Sequence, residues 1–243
     1  TVEAEEMGAS VDLGTNIYEP HVTGYVIDSV TDYRKLTPVD VTKGRAKVVT
    51  DAIRILKAET KDIPIVGNLT GPVSTASSVM EPVIFYKELR KRNKEAHEYM
   101  EFITDRLIAF GQAQIEAGAD VIAISDPSGT GEILGPKYFE EFAVAYINRL
   151  LDALQGEKMG TIVHICGQMS PVYNEINEVR SSALSFDSIV PMKEARKHLP
   201  DRVLMGNVST YALEFGDPAR VKILTKNCMR NGSDIIAPAC GWE

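Results

Sequence analysis

The chain has 243 residues, 44% of them hydrophobic and 25% charged, with 26 Lys and Arg against 34 Asp and Glu for a formal charge of −8. That is enough chain for one large α/β domain, and a barrel of about 250 residues lies within the expected range. An acidic balance repels phosphate backbones, which argues against a nucleic-acid partner, and no apolar run approaches the ~18 residues that span a bilayer.

In chain order, the first clear helical pattern covers 42–59, and an apolar β-type run follows over 63–69. The basic stretch 87–94 (KELRKRNK) reads as a solvated helix face or a connection, with a docking surface for an acidic domain as the alternative. A helix over 94–117 then leads to a strand over 120–125, a helix over 136–154 to a strand over 161–166, and a helix over 171–179 to a strand over 183–186. Helices over 192–197 and 218–231 complete the pattern, with strands over 202–208 and 234–238. The strand runs are short and continuously apolar, as expected for strands covered on both faces. Their alternation with helices along the whole chain predicts parallel βα units. Without a repeat, a linker or a low-complexity stretch, residues 1–243 read as a single domain.

Polar or glycine-bearing clusters follow nearly every strand: GNLTGP, SDPSGTG, HICGQ, SFDS, GNVST and PACG. An open doubly wound sheet gathers its chemistry at one switch point, and its usual fingerprint is G-x-G-x-x-G after an early strand. Chemistry spread over many strand ends fits the C-terminal mouth of a barrel instead. The expected fold is therefore an α/β, (β/α)8 TIM-type barrel. With Thr1 in place of a starting Met, no signal peptide, and Glu243 close behind the last strand, it reads as a barrel lacking elements at both termini.

His164 and Cys166 are two apart on a predicted strand, so their side chains point the same way. They stand at its C-terminal end before Gly167, as Cys240 stands before Gly241 at the end of the last strand. In a barrel both ends open on one mouth, where an imidazole and two thiolates suit tetrahedral Zn²⁺ with a fourth position open. The plainer alternative is a strand-end histidine beside a small buried cysteine. Two thiolates and a neutral imidazole cancel the charge of Zn²⁺. A thiol in the open position would then lose its proton, or a water would be activated. Three widely spaced cysteines suit a reducing cytoplasm, and Cys228, mid-helix, reads as core filler.

The segments TVEAEEMGASVDLGT, IPIVGNLTGP, AGADVIAISDPSGTGEILGPKYFEEF, HICGQMSP, RVLMGNVST and DIIAPACG run through nearly the whole chain. In them the chain resembles the uroporphyrinogen decarboxylase superfamily, and within it the methylcobamide:coenzyme M methyltransferases. The resemblance implies a (β/α)8 barrel with a zinc motif H-x-C…C on His164, Cys166 and Cys240, a motif the decarboxylases lack. It also implies transfer of a methyl group from a methylated corrinoid, carried by a corrinoid protein, to a zinc-activated small thiol such as coenzyme M. An acidic residue after the H-x-C strand can complete the metal's shell in that family, and Asp187 in SFDS is the candidate here.

Asp126, in SDPSGTGE, is the other catalytic candidate, for substrate orientation; capping of its own loop is the alternative. Asn68 and Asn207 at strand ends are substrate-binding candidates, against the ordinary role of Asn in satisfying loop backbone. His21, in a Pro- and Gly-flanked loop, is a third, for substrate or corrinoid. His97 and His198, in charged helical stretches, read as surface. The competing functions are a cofactor-free decarboxylase of the uroporphyrinogen type and a non-catalytic barrel fragment. The expected location is cytoplasmic, and the oligomeric state is open.

Overall fold

A computed structural model describes residues 1–156 and 159–240. A short helix α1 (Val2–Glu6) precedes an antiparallel hairpin of β1 (Ser10–Asp12) and β2 (His21–Gly24), which stands apart from the main sheet. Among the described residues the main sheet has five parallel strands: β3 (Val66–Thr70), β4 (Val121–Ser125), β5 (Gly160–Ile165), β6 (Ala183–Phe186) and β7 (Val203–Met205). They pair strictly in chain order. Crossovers of one hand between successive parallel strands then place every helix on the same side, which is barrel winding and not the two-sided winding of an open sheet.

The helices are α2 (Gly44–Glu59), α3 (Pro72–Val79), α4 (Pro82–Lys91), α5 (Asn93–Ala117), α6 (Gly131–Tyr138), α7 (Ala145–Leu154), α8 (Tyr173–Asn177), α9 (Met192–His198), α10 (Thr210–Phe215) and α11 (Pro218–Arg230). Their ends follow local chemistry. Pro82 and Pro218 sit in first turns, and Glu81 and Asp217 accept from the backbone N–H groups of Ile84 and Arg220. Gly118 closes α5 in the left-handed region at φ 113°. The central packing lies between α5 and the outer sheet face, where Leu69 meets Gly111 so closely that a methyl group there would be 3.0 Å from Leu69 Cδ1. Tyr99, Met100, Ile103 and Leu107 of α5 are fully buried, each contributing about 1.5–3 kcal/mol of apolar transfer.

The strands alternate. Thr161, Val163 and Ile165 are buried, while Ile162, His164 and Cys166 are half-buried on the opposite, inner face. The inner face is less covered than continuous apolar runs predict: Val66 is 50% and Val203 40% exposed. The run at 234–238 forms only bridges, Ile235 with Met205 and Pro238 with Val208, consistent with Pro238 lacking the N–H a ladder requires. The helix expected from 136 starts at Gly131, bends at Gly135 (φ 70°) and passes through a π-helical stretch, Phe139–Val144, before α7. His97 is not simply solvated. It stacks on Phe142 at 4.6 Å and bonds to Tyr146 Oη (2.8 Å) and Glu141 Oε1 (3.0 Å). Among the described residues no helix is long and apolar enough to cross a membrane.

Candidate metal centre

Strand β5 delivers His164 and Cys166 to the mouth on one face. The parallel register sets His164 beside Ser125 of β4 and Ser185 of β6. His164 Nδ1 is hydrogen-bonded to Ser185 Oγ at 3.0 Å, and its Nε2 faces Cys166 Sγ at 3.3 Å. Cys240 arrives from the far side through the Ala239 N–H bond to the Val208 carbonyl (2.8 Å), and its Sγ lies 3.1 Å from Cys166 Sγ. The three ligand atoms lie within 4.8 Å of one another, and each residue is half-buried. Gly241 lies outside the described residues. The side chains border a cavity of about 320 Å³, lined also by Glu19, Ser125, Pro127 and Ala239.

The electrostatics favour a bound cation. Burial lowers the His164 pKa against the opposing pull of Asp187, so its imidazole is neutral and has a lone pair to offer. Burial first, then the Cys240 thiol as hydrogen-bond partner and charge, then Asp187 and Asp126, push the Cys166 thiol far up. A second thiolate at 3.1 Å from the first is costly without a compensating positive charge. The donor set is the kind that holds zinc. Two thiolates on one tetrahedral zinc stand about 3.8 Å apart given Zn–S near 2.3 Å, a separation that a small outward movement of Cys166 and Cys240 provides. The residues fit the ion.

The other candidates lie elsewhere or act differently. Asp187 is buried beside the site; its Oδ1 accepts from Ser188 Oγ (3.3 Å) and weakly from the Ile189 N–H (3.4 Å), and both His164 and Cys166 sense its charge. Asp126 is 0% exposed. Its Oδ1 accepts from the Ser74 N–H (2.7 Å) and Ser74 Oγ (2.6 Å), and its Oδ2 from the Val73 N–H (3.1 Å). The carboxylate caps the first turn of α3, and Gly71 is so close that a methyl group there would lie 2.4 Å from Asp126 Cβ. Burial raises its pKa, and these donors oppose the rise.

Asn207, also buried, donates through Nδ2 to the carbonyls of Asp187 and Val190, both at 2.7 Å, and fixes the loop after β6; Cys228 Sγ, buried as expected, reaches its Oδ1 at 3.7 Å. Asn68 faces a different cavity of about 400 Å³ between α1, α2 and β3, and its carbonyl accepts from Gln114 Nε2. His21 is exposed in the hairpin with Nδ1 3.2 Å from the Glu19 carbonyl, and it is Glu19, two residues earlier, that reaches the cavity. Sequence reasoning passed over Glu19 and Ser185. Nothing local marks Glu19, whereas aligning the two predicted strands at 161–166 and 183–186 would have drawn attention to Ser185.

The family model for uroporphyrinogen decarboxylase (URO-D) matches residues 1–242. The chain belongs to this family. Its likeness runs to the methyltransferases within it. It is 28% identical over 243 residues to the methylcobamide:CoM methyltransferase MtbA of Methanosarcina acetivorans, covering 99% of this chain and 71% of that protein. It is 31% identical over 246 residues to the methylcobamide:CoM methyltransferase MtaA of Methanosarcina barkeri, with the same coverage of 99% and 71%. A solved structure of a methyltransferase from Methanosarcina mazei superposes with a TM-score of 0.90 at 30% identity, covering 99% of this chain and 72% of that one.

Proposed function

We propose that the chain is a zinc-dependent methyltransferase that moves a methyl group from a methylated corrinoid, carried by a partner protein, to a small thiol such as coenzyme M, in the cytoplasm. The observation that carries this reading is the convergence of one imidazole and two thiols within 4.8 Å on the rim of an open cavity. The likeness to MtbA and MtaA supports the choice of methyl donor and acceptor. Metal-free decarboxylation gives two adjacent thiols no task.

His164 Nε2, Cys166 Sγ and Cys240 Sγ are the residues that would hold zinc, and the ion would supply the positive charge that keeps an acceptor thiol deprotonated at neutral pH. The rest falls to the chain. Ser185 holds the His164 ring through Nδ1 and turns Nε2 toward Cys166; with Nε2 on the ion, Ser185 Oγ would take the Nδ1 proton in a hydrogen bond. A neutral imidazole and two thiolates would balance the charge of the ion and so would not repel an anionic acceptor sulfur. The half-open cavity admits the acceptor beside Cys166 and Cys240, with Glu19 at its rim. The acceptor thiolate would supply the electron pair for the new bond to the methyl carbon, and the partner's corrinoid would retain the pair of the bond that breaks. Asp187, whose charge reaches His164 and Cys166, is the nearby acidic candidate for the remaining position.

The test is zinc per chain after anaerobic, chelator-free purification, with Cys240→Ser alongside, followed by methyl transfer from methylcobalamin to a panel of thiols. About one zinc per chain, lost in the variant, is expected for a three-ligand site. A folded wild-type protein that binds no zinc overturns the reading.

A further inference from the structure

A different polar side chain bonds to the His164 ring, to the backbone just after Cys166 and to the Cys240 carbonyl. Ser185 Oγ, on β6, is hydrogen-bonded to His164 Nδ1 at 3.0 Å, and Ser185 is 6% exposed, so water does not compete strongly for the bond. Glu132, in the first turn of α6, accepts the Gln168 N–H through Oε2 at 3.0 Å. The same oxygen lies 2.5 Å from where a methyl group on Gly167 would stand. Gly167 has φ 79°, so the chain turns away immediately after Cys166, and Glu132 pins that turn from outside. Thr210, the first residue of α10, donates through Oγ1 to the Cys240 carbonyl at 2.9 Å.

We propose that Ser185, Glu132 and Thr210 form a positioning shell, one residue for each of His164, Cys166 and Cys240, that presets the three ligand atoms before metal arrives. This rests on the zinc reading above and adds to it the residues that set affinity. Ser185 is the only one of the three that touches a ligand side chain. A neutral imidazole carries one ring proton, and a ligand nitrogen must be the bare one. The bond from Nδ1 to Ser185 fixes the ring plane, and in the tautomer that coordinates through Nε2 the serine oxygen accepts the Nδ1 proton. Glu132 and Thr210 act one step further out, on backbone, and hold the turn after Cys166 and the peptide of Cys240. All three come from different parts of the fold, so the site is assembled by β6, α6 and α10 together. Outer partners of this type change metal affinity by about 10–100-fold when removed.

The experiment measures zinc affinity by competition with a chromophoric chelator, and the visible spectrum of the Co²⁺-substituted protein, for wild type and three pairs of variants: Ser185→Ala and Ser185→Thr, Glu132→Ala and Glu132→Gln, Thr210→Val and Thr210→Ser. Circular dichroism confirms folding in each. The first member of each pair removes the hydrogen-bonding group and the second keeps one. Ser185→Ala is expected to weaken zinc by about 10–100-fold and to shift the cobalt bands, with Ser185→Thr restoring both. Smaller losses, likewise restored, are expected from the other two pairs. Folded alanine and valine variants that bind zinc with wild-type affinity and give the wild-type cobalt spectrum overturn the shell while leaving the zinc reading intact. A folded wild type without metal overturns both.

Discussion

Strands β4 and β5 are neighbours in register and end at the same mouth, yet their ends serve opposite purposes. Ser125 lies opposite His164; one residue past Ser125, Asp126 is fully buried and its carboxylate is spent on Val73 and Ser74. His164 and Cys166, with Cys240 from across the mouth, keep a ring nitrogen and two thiols turned toward the cavity. The difference is whether nearby donors have already claimed the side chain. Helix α3 begins directly over the end of β4, and its unpaired N–H groups need an acceptor. The turn at Gly167 leads the backbone away from Cys166 and leaves its sulfur open.

That contrast is most sharply tested by paired substitutions. Cys166→Ala is expected to abolish zinc binding and methyl transfer while leaving the melting temperature of the metal-free protein nearly unchanged. Asp126→Ala is expected to do the reverse. It orphans three donors and costs about 3 kcal/mol or more, read by denaturant unfolding, while whatever protein remains folded still binds zinc. Loss of zinc at full stability in Asp126→Ala would place that carboxylate in the metal site after all.

Asn207 extends the comparison to β6 and β7 with a smaller effect. Removing its amide leaves the carbonyls of Asp187 and Val190 without that donor, at a cost of about 1–3 kcal/mol. Zinc stoichiometry should hold in Asn207→Ala, because only the loop behind Asp187 loosens. A folded variant that no longer binds zinc would show that this loop is itself part of the centre.

The opposite end of the barrel supplies the smallest effect. Asp120 accepts the Ile65 N–H and pairs with Lys57; Asp234 accepts the Leu204 N–H and pairs with Arg196. The backbone bond first, and the cation with it, holds each carboxyl below its ordinary pKa. A depressed folded-state pKa gives stability that is present above the unfolded carboxylate value and disappears as pH falls through the folded one. The double variant Asp120→Asn, Asp234→Asn should therefore lose melting temperature less steeply on acidification than wild type, with no change in zinc. An unchanged acid slope would show that these pairs are too solvated to matter.

The barrel and the convergence of His164, Cys166 and Cys240 were legible in the sequence, while several local elements around them were not. The two-residue spacing of His164 and Cys166 on an apolar run is a property of the chain alone, and pairing with Cys240 followed from repeated strand ends. Helix α3 escaped detection because Ser74, Thr75, Ser77 and Ser78 give no apolar period; it is buried on nearly every side and its capping acid comes from 52 residues away. The hairpin of β1 and β2 offered only three- and four-residue strands, too short to read. Asp126 and Asn207 had been read both ways, and only distances could choose between partners in the substrate and partners in the protein.

The alternation along β5 also limits how this segment can change over time. Thr161, Val163 and Ile165 belong to the packed side, and Ile162, His164 and Cys166 to the cavity side. Deleting or inserting one residue within the strand would exchange the two sets, driving an imidazole and a thiol under the helices and exposing valine and isoleucine to the mouth. Length changes are tolerable only in even steps or in the loops beyond. A descendant that retains the His-x-Cys pair must keep it in the same parity as the apolar residues between which it is threaded.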